Sequence, residues 1–119
     1  MTAPPAVVQP DLEAHVWAAV RELGDVTTFC YTATRDHAGW QVAYFVQADA
    51  RARTKEAARD LAERLLRVVC ALPGAPWAEG TVTYVQPIEG PFWLPDPEDG
   101  KPRYCARYEI RVHPARAAP

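Results

Sequence analysis

The sequence predicts an α+β domain in which two helices pack on one face of a largely antiparallel four-stranded sheet. Two segments carry apolar residues at helical spacing, and four segments alternate between apolar and polar residues as strands do. Their order is helix, strand, strand, helix, strand, strand. The length of 119 residues suits one buried core. We therefore expect one domain over residues 10–114, between a flexible arm at residues 1–9 and a flexible tail at residues 115–119.

The first helix is predicted over residues 11–23, because Asp11 can cap its N-terminus and apolar residues then recur at helical spacing. His15 and Trp17 lie off the apolar stripe. We expect His15 to be solvated and Trp17 to mark a contact surface. A hairpin should follow, with strands at 26–35 and 40–50 joined by the Gly-containing turn at 36–39.

The second helix is predicted in "TKEAARDLAERLLRVVCALPG", with Thr54 as its N-cap and a broad stripe of Ala, Leu and Val. We expect Leu61, Leu65 and Val68 to be buried against the sheet, with Tyr108 and Ile110 among their neighbours. The third strand should span residues 80–87 and the fourth residues 103–114. On the fourth strand one face is predicted to be packed (Tyr104, Ala106, Tyr108, Ile110 and Val112) and the other wet or docked on a partner.

Composition excludes several classes of function. The net charge of −2 gives no general attraction to nucleic acid or anionic lipid, so we expect at most weak, non-specific contact with DNA. No apolar run approaches the ~20 residues of a membrane span, so no membrane association is expected. The N-terminal residues lack the pattern of a signal peptide, and synthesis in the cytoplasm is the expectation.

The cysteines and histidines give no pattern typical of a metal site or a disulfide framework. Cys30, Cys70 and Cys105 form no CxxC pair, and the three histidines are as widely spread. We therefore expect no bound metal and no cofactor, with all three thiols reduced. Free cysteine is usually buried, so Cys30 and Cys70 are expected to behave as small core residues.

An enzyme would need reactive groups that converge in a pocket. The nearest set is Cys105, Arg107 and His113 on one face of the last strand. Cys105 and His113 would be roughly 26 Å apart on a straight strand, which is too far for contact. Nucleotide-binding, zinc-protease and serine-hydrolase motifs are absent from the sequence. We therefore expect no catalytic residues.

The stretch "EGPFWLPDPEDGKPRY" predicts a long loop between the last two strands. It is roughly fifteen residues long, whereas hairpin loops usually have 2–5, and long loops in compact domains are often functional. Phe92 and Trp93 stand between prolines, which restrict the unbound loop and lower the entropy lost on docking. Two interpretations stay open: a protein-binding arm, or a lid in which both rings cover the chain's own sheet.

Charge adds to the interest of this loop. It is acidic, whereas the last strand is basic, so loop and strand could pair head to tail between copies or within one chain. The candidate interface residues are Glu89, Phe92, Trp93, Asp96, Glu98, Asp99, Arg103, Arg107 and Arg111.

The element order, the length and the proline-rich "GPFWLPDPEDGKPRY" before the final "YEIRVHP" resemble the tail terminator, or tail-completion, proteins of long-tailed bacteriophages, particularly those of actinobacterial hosts. The resemblance spans roughly residues 10–114 and rests on no single motif. It implies a virion protein without catalytic residues, which forms a ring, typically of six subunits, at the head-proximal end of the tail tube. The implied partners are further copies of this chain, the tube protein and a head-completion or connector protein.

Other roles remain open at this stage. A head-closure or neck protein of the same virion would have a similar sequence character. A small-molecule or peptide-binding module could use Trp77, Phe92 and Trp93 as an aromatic clamp.

Overall fold

The computed structural model describes residues 10–35 and 41–116. The predicted arm at 1–9, the turn at 36–39, Trp40 and the last residues of the tail lie outside this range. The elements are α1 (Leu12–Val20), β1 (Asp25–Arg35), β2 (Val42–Arg51), α2 (Lys55–Cys70), β3 (Gly80–Trp93) and β4 (Arg103–Pro114). The strands form one sheet in the order β1-β2-β4-β3, in which all neighbours are antiparallel. The predicted fold class is confirmed.

The core lies between the helices and one face of the sheet. Leu61 and Leu65 of α2 are buried, as predicted, in the same cluster as Tyr108 and Ile110 of β4. The prediction for Val68 is wrong, because Val68 is only half-buried and Val69 lies fully inside. The α1 residues Leu12, Val16 and Val20 join this cluster, so both helices cover the same face. None of the helices in the described residues is long and apolar enough to cross a membrane.

Helix α1 is shorter than predicted and holds its histidine differently. Asp11 caps the helix by accepting a hydrogen bond from the Ala14 N–H at 3.0 Å, but the helix ends at Val20. His15 is half-buried rather than solvated, since its ring stacks on Trp77 at a centroid distance of 4.3 Å. Burial lowers the pKa of His15, and the nearby Glu79 carboxylate opposes this shift only in part.

Strand β3 extends further than the sequence predicts. Glu89, Phe92 and Trp93 pair with β4, so the connection between the two strands runs only from Leu94 to Pro102. Two register shifts, between Pro87 and Glu89 and between Glu89 and Phe92, let the proline-rich segment remain in the sheet. Gly90 makes this possible: its φ is +84°, and an added Cβ would lie 2.5 Å from the Cys105 carbonyl oxygen.

The alternation predicted for β4 is confirmed, because the five residues of its packed face are all buried. The expectation for the cysteines is wrong in part. Cys70 is exposed at the end of α2 and Cys30 is half-buried, whereas Cys105 is fully buried. A thiol at the last turn of a helix packs only if its position falls on the apolar stripe, and Cys70 lies beside that stripe. Beyond β4, the Ala115 N–H donates to the Glu79 carbonyl at 2.9 Å.

Candidate interaction surface

Both helices pack on the same side of the sheet, so the opposite side carries side chains that no helix of the described chain covers. We call this side the open face. Its centre is an aromatic cluster in which the Tyr31 ring lies 6.4 Å from Phe29 and 6.3 Å from Phe45. Phe29 is 42% exposed and Tyr31 is 47% exposed. Adjacent exposed rings form a contiguous apolar patch, and such patches mark interaction sites.

Arg107 lies beside this cluster in a fixed position. Its guanidinium carbon is 6.0 Å from the centre of the Tyr31 ring. The Nε–H donates to Gln47 Oε1 at 3.2 Å, and the terminal nitrogen pairs with Glu89 Oε2 at 3.3 Å. These contacts hold the side chain from three sides while leaving it 43% exposed. A held, half-exposed arginine loses little entropy when a partner binds.

A second arginine and aromatic pair lies along β4 and β3. The Arg111 guanidinium carbon is 4.8 Å from the centre of the Tyr84 ring, and Arg111 also pairs with Glu109 at 3.3 Å. Tyr84 is 37% exposed. The open face therefore combines aromatic rings with arginines whose charges are partly balanced by glutamates. This composition is typical of the central part of a protein–protein interface.

At the end of the open face away from Tyr84, the Asp49 side chain is buried, and the residue is only 4% exposed. Its carboxylate accepts a hydrogen bond from Gln47 Nε2 at 3.0 Å and lies 3.8 Å from an Arg103 nitrogen. Burial and the adjacent Asp49 raise the pKa of the Cys105 thiol to about 12. A thiol with such a pKa stays protonated at neutral pH and is a poor nucleophile. Gln47 links this buried network to Arg107, so the network helps to position the exposed arginine.

The connection between β3 and β4 is folded onto its own chain. Asp96 pairs with Arg51 at 3.1 Å, and Arg103 Nε donates to the Leu94 carbonyl at 3.0 Å. The Glu98 N–H and the Arg51 side chain, both of which donate to Asp96, hold the pKa of its carboxyl below the ordinary value. Glu98 and Asp99 stay exposed. These contacts tie the loop to its own chain and leave Glu98 and Asp99 as an acidic tip.

Trp93 lies on the helix side of the sheet at the end of β3. Its ring is 5.5 Å from Tyr104, and the Lys55 ammonium lies 4.9 Å from its centre. Trp93 remains 39% exposed and the adjacent Leu94 43% exposed. Phe92 is half-buried opposite Cys105. Phe92 and Trp93 are adjacent in the sequence but have different surroundings. Phe92 is partly buried against its own chain, whereas Trp93 lies at the edge of the sheet.

Several of the nine predicted interface residues form ion pairs within the chain across elements. Glu89 pairs with Arg107, and Asp96 pairs with Arg51 of β2. Trp77 stacks on His15 near the start of β3, while Trp93 lies at its far end, so the proposed aromatic clamp does not form.

The sequence reasoning missed the aromatic cluster. The sequence did contain an indication of this cluster. Phe29 and Tyr31 occupy alternate positions of one strand, and most residues beside them in the sequence are polar. Such a pattern puts both rings on one face.

The described residues contain no group of three or more His, Cys, Asp or Glu side chains arranged to hold a metal ion. Comparison with protein-family models and with curated protein sequences found no match. A proposal of function therefore rests on the geometry of the chain and on the resemblance of its sequence.

Proposed function

We propose that this protein is a structural virion subunit that forms a ring, of six copies, on the head-proximal end of a phage tail tube. The ring ends polymerisation of the tube protein and joins the tail to the head connector. The subunit is made in the host cytoplasm and acts in the virion. The observation that carries the proposal is the open face, where exposed Phe29 and Tyr31 and the held Arg107 give a small domain a ready interaction surface.

A ring requires head-to-tail contacts, in which two different patches of the same chain meet. The open face supplies one patch, with the half-exposed Arg107 and Arg111. The end of the β3–β4 hairpin supplies the other, with the exposed Trp93 and Leu94 beside the acidic tip at Glu98 and Asp99. Acidic groups on one copy and arginines on the next favour this orientation and disfavour contact between like patches. The tail-terminator resemblance of the sequence supplies the identity of the assembly.

The second candidate is a small protein- or peptide-binding module, which the same open face would also serve. A neck or head-closure role in the virion is a variant of the first proposal. Both proposals treat the chain as a binding protein. They differ in whether the partner is a copy of the same chain.

The experiment measures the mass of the purified protein by native mass spectrometry and its shape by negative-stain electron microscopy. We expect a ring of about six subunits, alone or on the ends of tubes assembled from the tube protein. Arg107→Ala should abolish the ring while the domain stays folded, because Arg107 lies on the open face. Arg64→Ala is the matched control, since Arg64 is exposed on α2, on the other side of the domain.

Three results would count against the proposal. A monomer at all concentrations that also leaves tube length unchanged would favour the binding module. Rings that survive Arg107→Ala would show that the open face is not the contact. Equal losses in Arg107→Ala and Arg64→Ala would point to a general effect of charge.

A further inference from the structure

The two edge strands of the sheet differ in how they are protected. The β3 edge contains Pro87 and Pro91 and has register shifts at three places along its pairing with β4. Prolines and bulges are the usual devices that prevent an edge strand from pairing with another chain. The β1 edge has no proline, and its charged residues stand only at its two ends. The β1 edge therefore has fewer of these devices than the β3 edge.

The first part of β1 is open along its outward side. Its pairing with β2 is regular from Asp25 to Cys30, before the register shift that follows Cys30. In the part of the chain that the structure describes, the backbone groups from Thr27 to Cys30 have no backbone partner outside the pairing with β2. An edge strand directs half of its N–H and C=O groups away from the sheet, so this part of β1 is a template for a further strand.

Helix α1 lies beside this part of the edge and turns it into a groove. A cavity of about 310 Å³ lies between the two elements. Its described lining residues are Asp11, Glu13, Ala14, Trp17 and Thr28. Thr28 lies on the helix side of the sheet, because it pairs with the buried Ala48. The described lining includes no residue of α2, so the groove opens on the side of α1 away from α2, which is the side of the β1 edge.

The groove combines an aromatic ring with negative charge. Glu13 and Trp17 are four residues apart on α1, so their side chains lie on the same side of the helix. Trp17 is 42% exposed, and Glu13 is also exposed. Of the described lining residues two are acidic and none is basic. A cation placed between the ring and the carboxylate would contact both, and tryptophan is the aromatic side chain that binds cations best. The groove is therefore complementary to a lysine or arginine side chain.

We propose that this groove binds an extended segment of a partner protein, which adds to β1 as a further strand and places a lysine or arginine between Glu13 and Trp17. Backbone pairing with the edge supplies affinity, and the cation supplies specificity. Successive residues of a strand point to opposite faces, so the residues on both sides of the cation lie on the open face, near Phe29. The partner segment therefore has a cation on one face and apolar side chains on the other.

This site goes beyond the proposed ring and uses other groups. The ring contacts use Arg107 and Arg111 on the open face and Trp93 at the end of the β3–β4 hairpin. The groove is formed by α1 and by the helix side of the β1 edge, and Phe29 borders both surfaces. The two proposals can therefore fail independently.

The test uses the full chain and three short peptides with blocked ends. The probe peptide alternates threonine and valine and has one lysine at its centre. A second peptide has glutamate in place of the lysine. A third keeps the lysine but has methylated backbone nitrogens, which cannot donate hydrogen bonds to β1. Fluorescence anisotropy of the labelled peptides should show that the lysine peptide binds and that the other two bind about tenfold more weakly.

Variants of the groove locate the site of binding. Trp17→Ala should weaken binding of the lysine peptide about tenfold, and Trp17→Phe should weaken it less. Glu13→Lys should weaken binding of the lysine peptide and strengthen binding of the glutamate peptide, because the charges are then exchanged. Glu56→Lys is the matched control, since Glu56 has the same place in the first turn of α2 that Glu13 has in α1. Circular dichroism shows whether each variant is folded.

Hydrogen exchange shows where the peptide lies. The amides between Thr27 and Cys30 that point away from β2 should gain protection when the lysine peptide is added. Protection confined to the β3 edge would overturn the assignment of the peptide to this groove.

A lysine peptide that does not bind would overturn the groove proposal and leave the proposed ring standing. Equal binding of the methylated peptide would overturn strand addition. Equal losses in Glu13→Lys and Glu56→Lys would overturn the role of the groove's charge. Rings that bind the lysine peptide would support both proposals, whereas a monomer that binds it would support the groove and count against the ring.

Discussion

The end of β3 offers a perturbation in which stability and assembly can be separated. Trp93→Ala removes a ring pair with Tyr104 at 5.5 Å and a cation–π contact with Lys55 at 4.9 Å. The ring pair contributes about 0.5–1.5 kcal/mol, and the cation–π contact about 0.5–1 kcal/mol at an exposed site. With the apolar area that is lost, the cost should be about 2–3 kcal/mol.

A domain of this size has a free energy of unfolding of about 5–15 kcal/mol, so the variant should remain folded with a melting temperature lowered by about 10 °C. The exposed part of Trp93 and the neighbouring Leu94 are available to a second copy. We therefore expect Phe92→Ala combined with Trp93→Ala to melt cooperatively and yet fail to form rings. Tubes grown in its presence should be over-long, because an uncapped end continues to add subunits.

The control is Trp93→Phe, which keeps a ring against Tyr104 and should retain most of the stability. Melting is followed by circular dichroism, assembly by native mass spectrometry and tube length by electron microscopy. If the double variant is destabilised while its folded fraction still assembles into rings and caps tubes, the Phe92 and Trp93 side chains belong to the chain's own core. That result would refute the role of this hairpin end in assembly.

Three further predictions concern the core, a histidine and the thiols. Leu65→Ala should lower the free energy of unfolding by about 2–5 kcal/mol, whereas Val68→Ala should cost less because Val68 is half-buried; equal costs in urea melts would contradict this packing. Stability should fall as the pH drops through about 6.5, because the unfolded chain then binds a proton that the folded state, with a lowered His15 pKa, takes up only at lower pH. His15→Phe should flatten this part of the pH profile, and an unchanged profile would exclude His15 as the cause. In native protein, iodoacetamide should modify the exposed Cys70 and leave the buried Cys105, whose pKa is raised to about 12, unmodified; mass spectrometry of the digested protein would show any reaction at Cys105.

The secondary structure followed from local patterns in the sequence. The stripe of α2 and the alternation of β4 each repeat with the period of their element, so burial of Leu65 or Ile110 could be predicted without any partner. The element order then limited the fold class to helices on an antiparallel sheet. The sequence predicted the secondary structure less well in segments whose residue types disfavour the conformation that they adopt. Gly90 and Pro91 predict a loop, but pairing of Glu89, Phe92 and Trp93 with β4 holds this segment in the sheet.

What the sequence by itself determined is therefore the set of elements, the packed side of each and the unusual character of the 89–104 stretch. The tertiary structure decided which distant residues meet. Arg107 with Tyr31, Trp77 with His15 and Asp96 with Arg51 each join elements far apart in the chain. No local period encodes such contacts, because they depend on strand order and register. The open face exists for the same reason, since only the placement of both helices on one side of the sheet leaves Phe29 and Tyr31 exposed on the other.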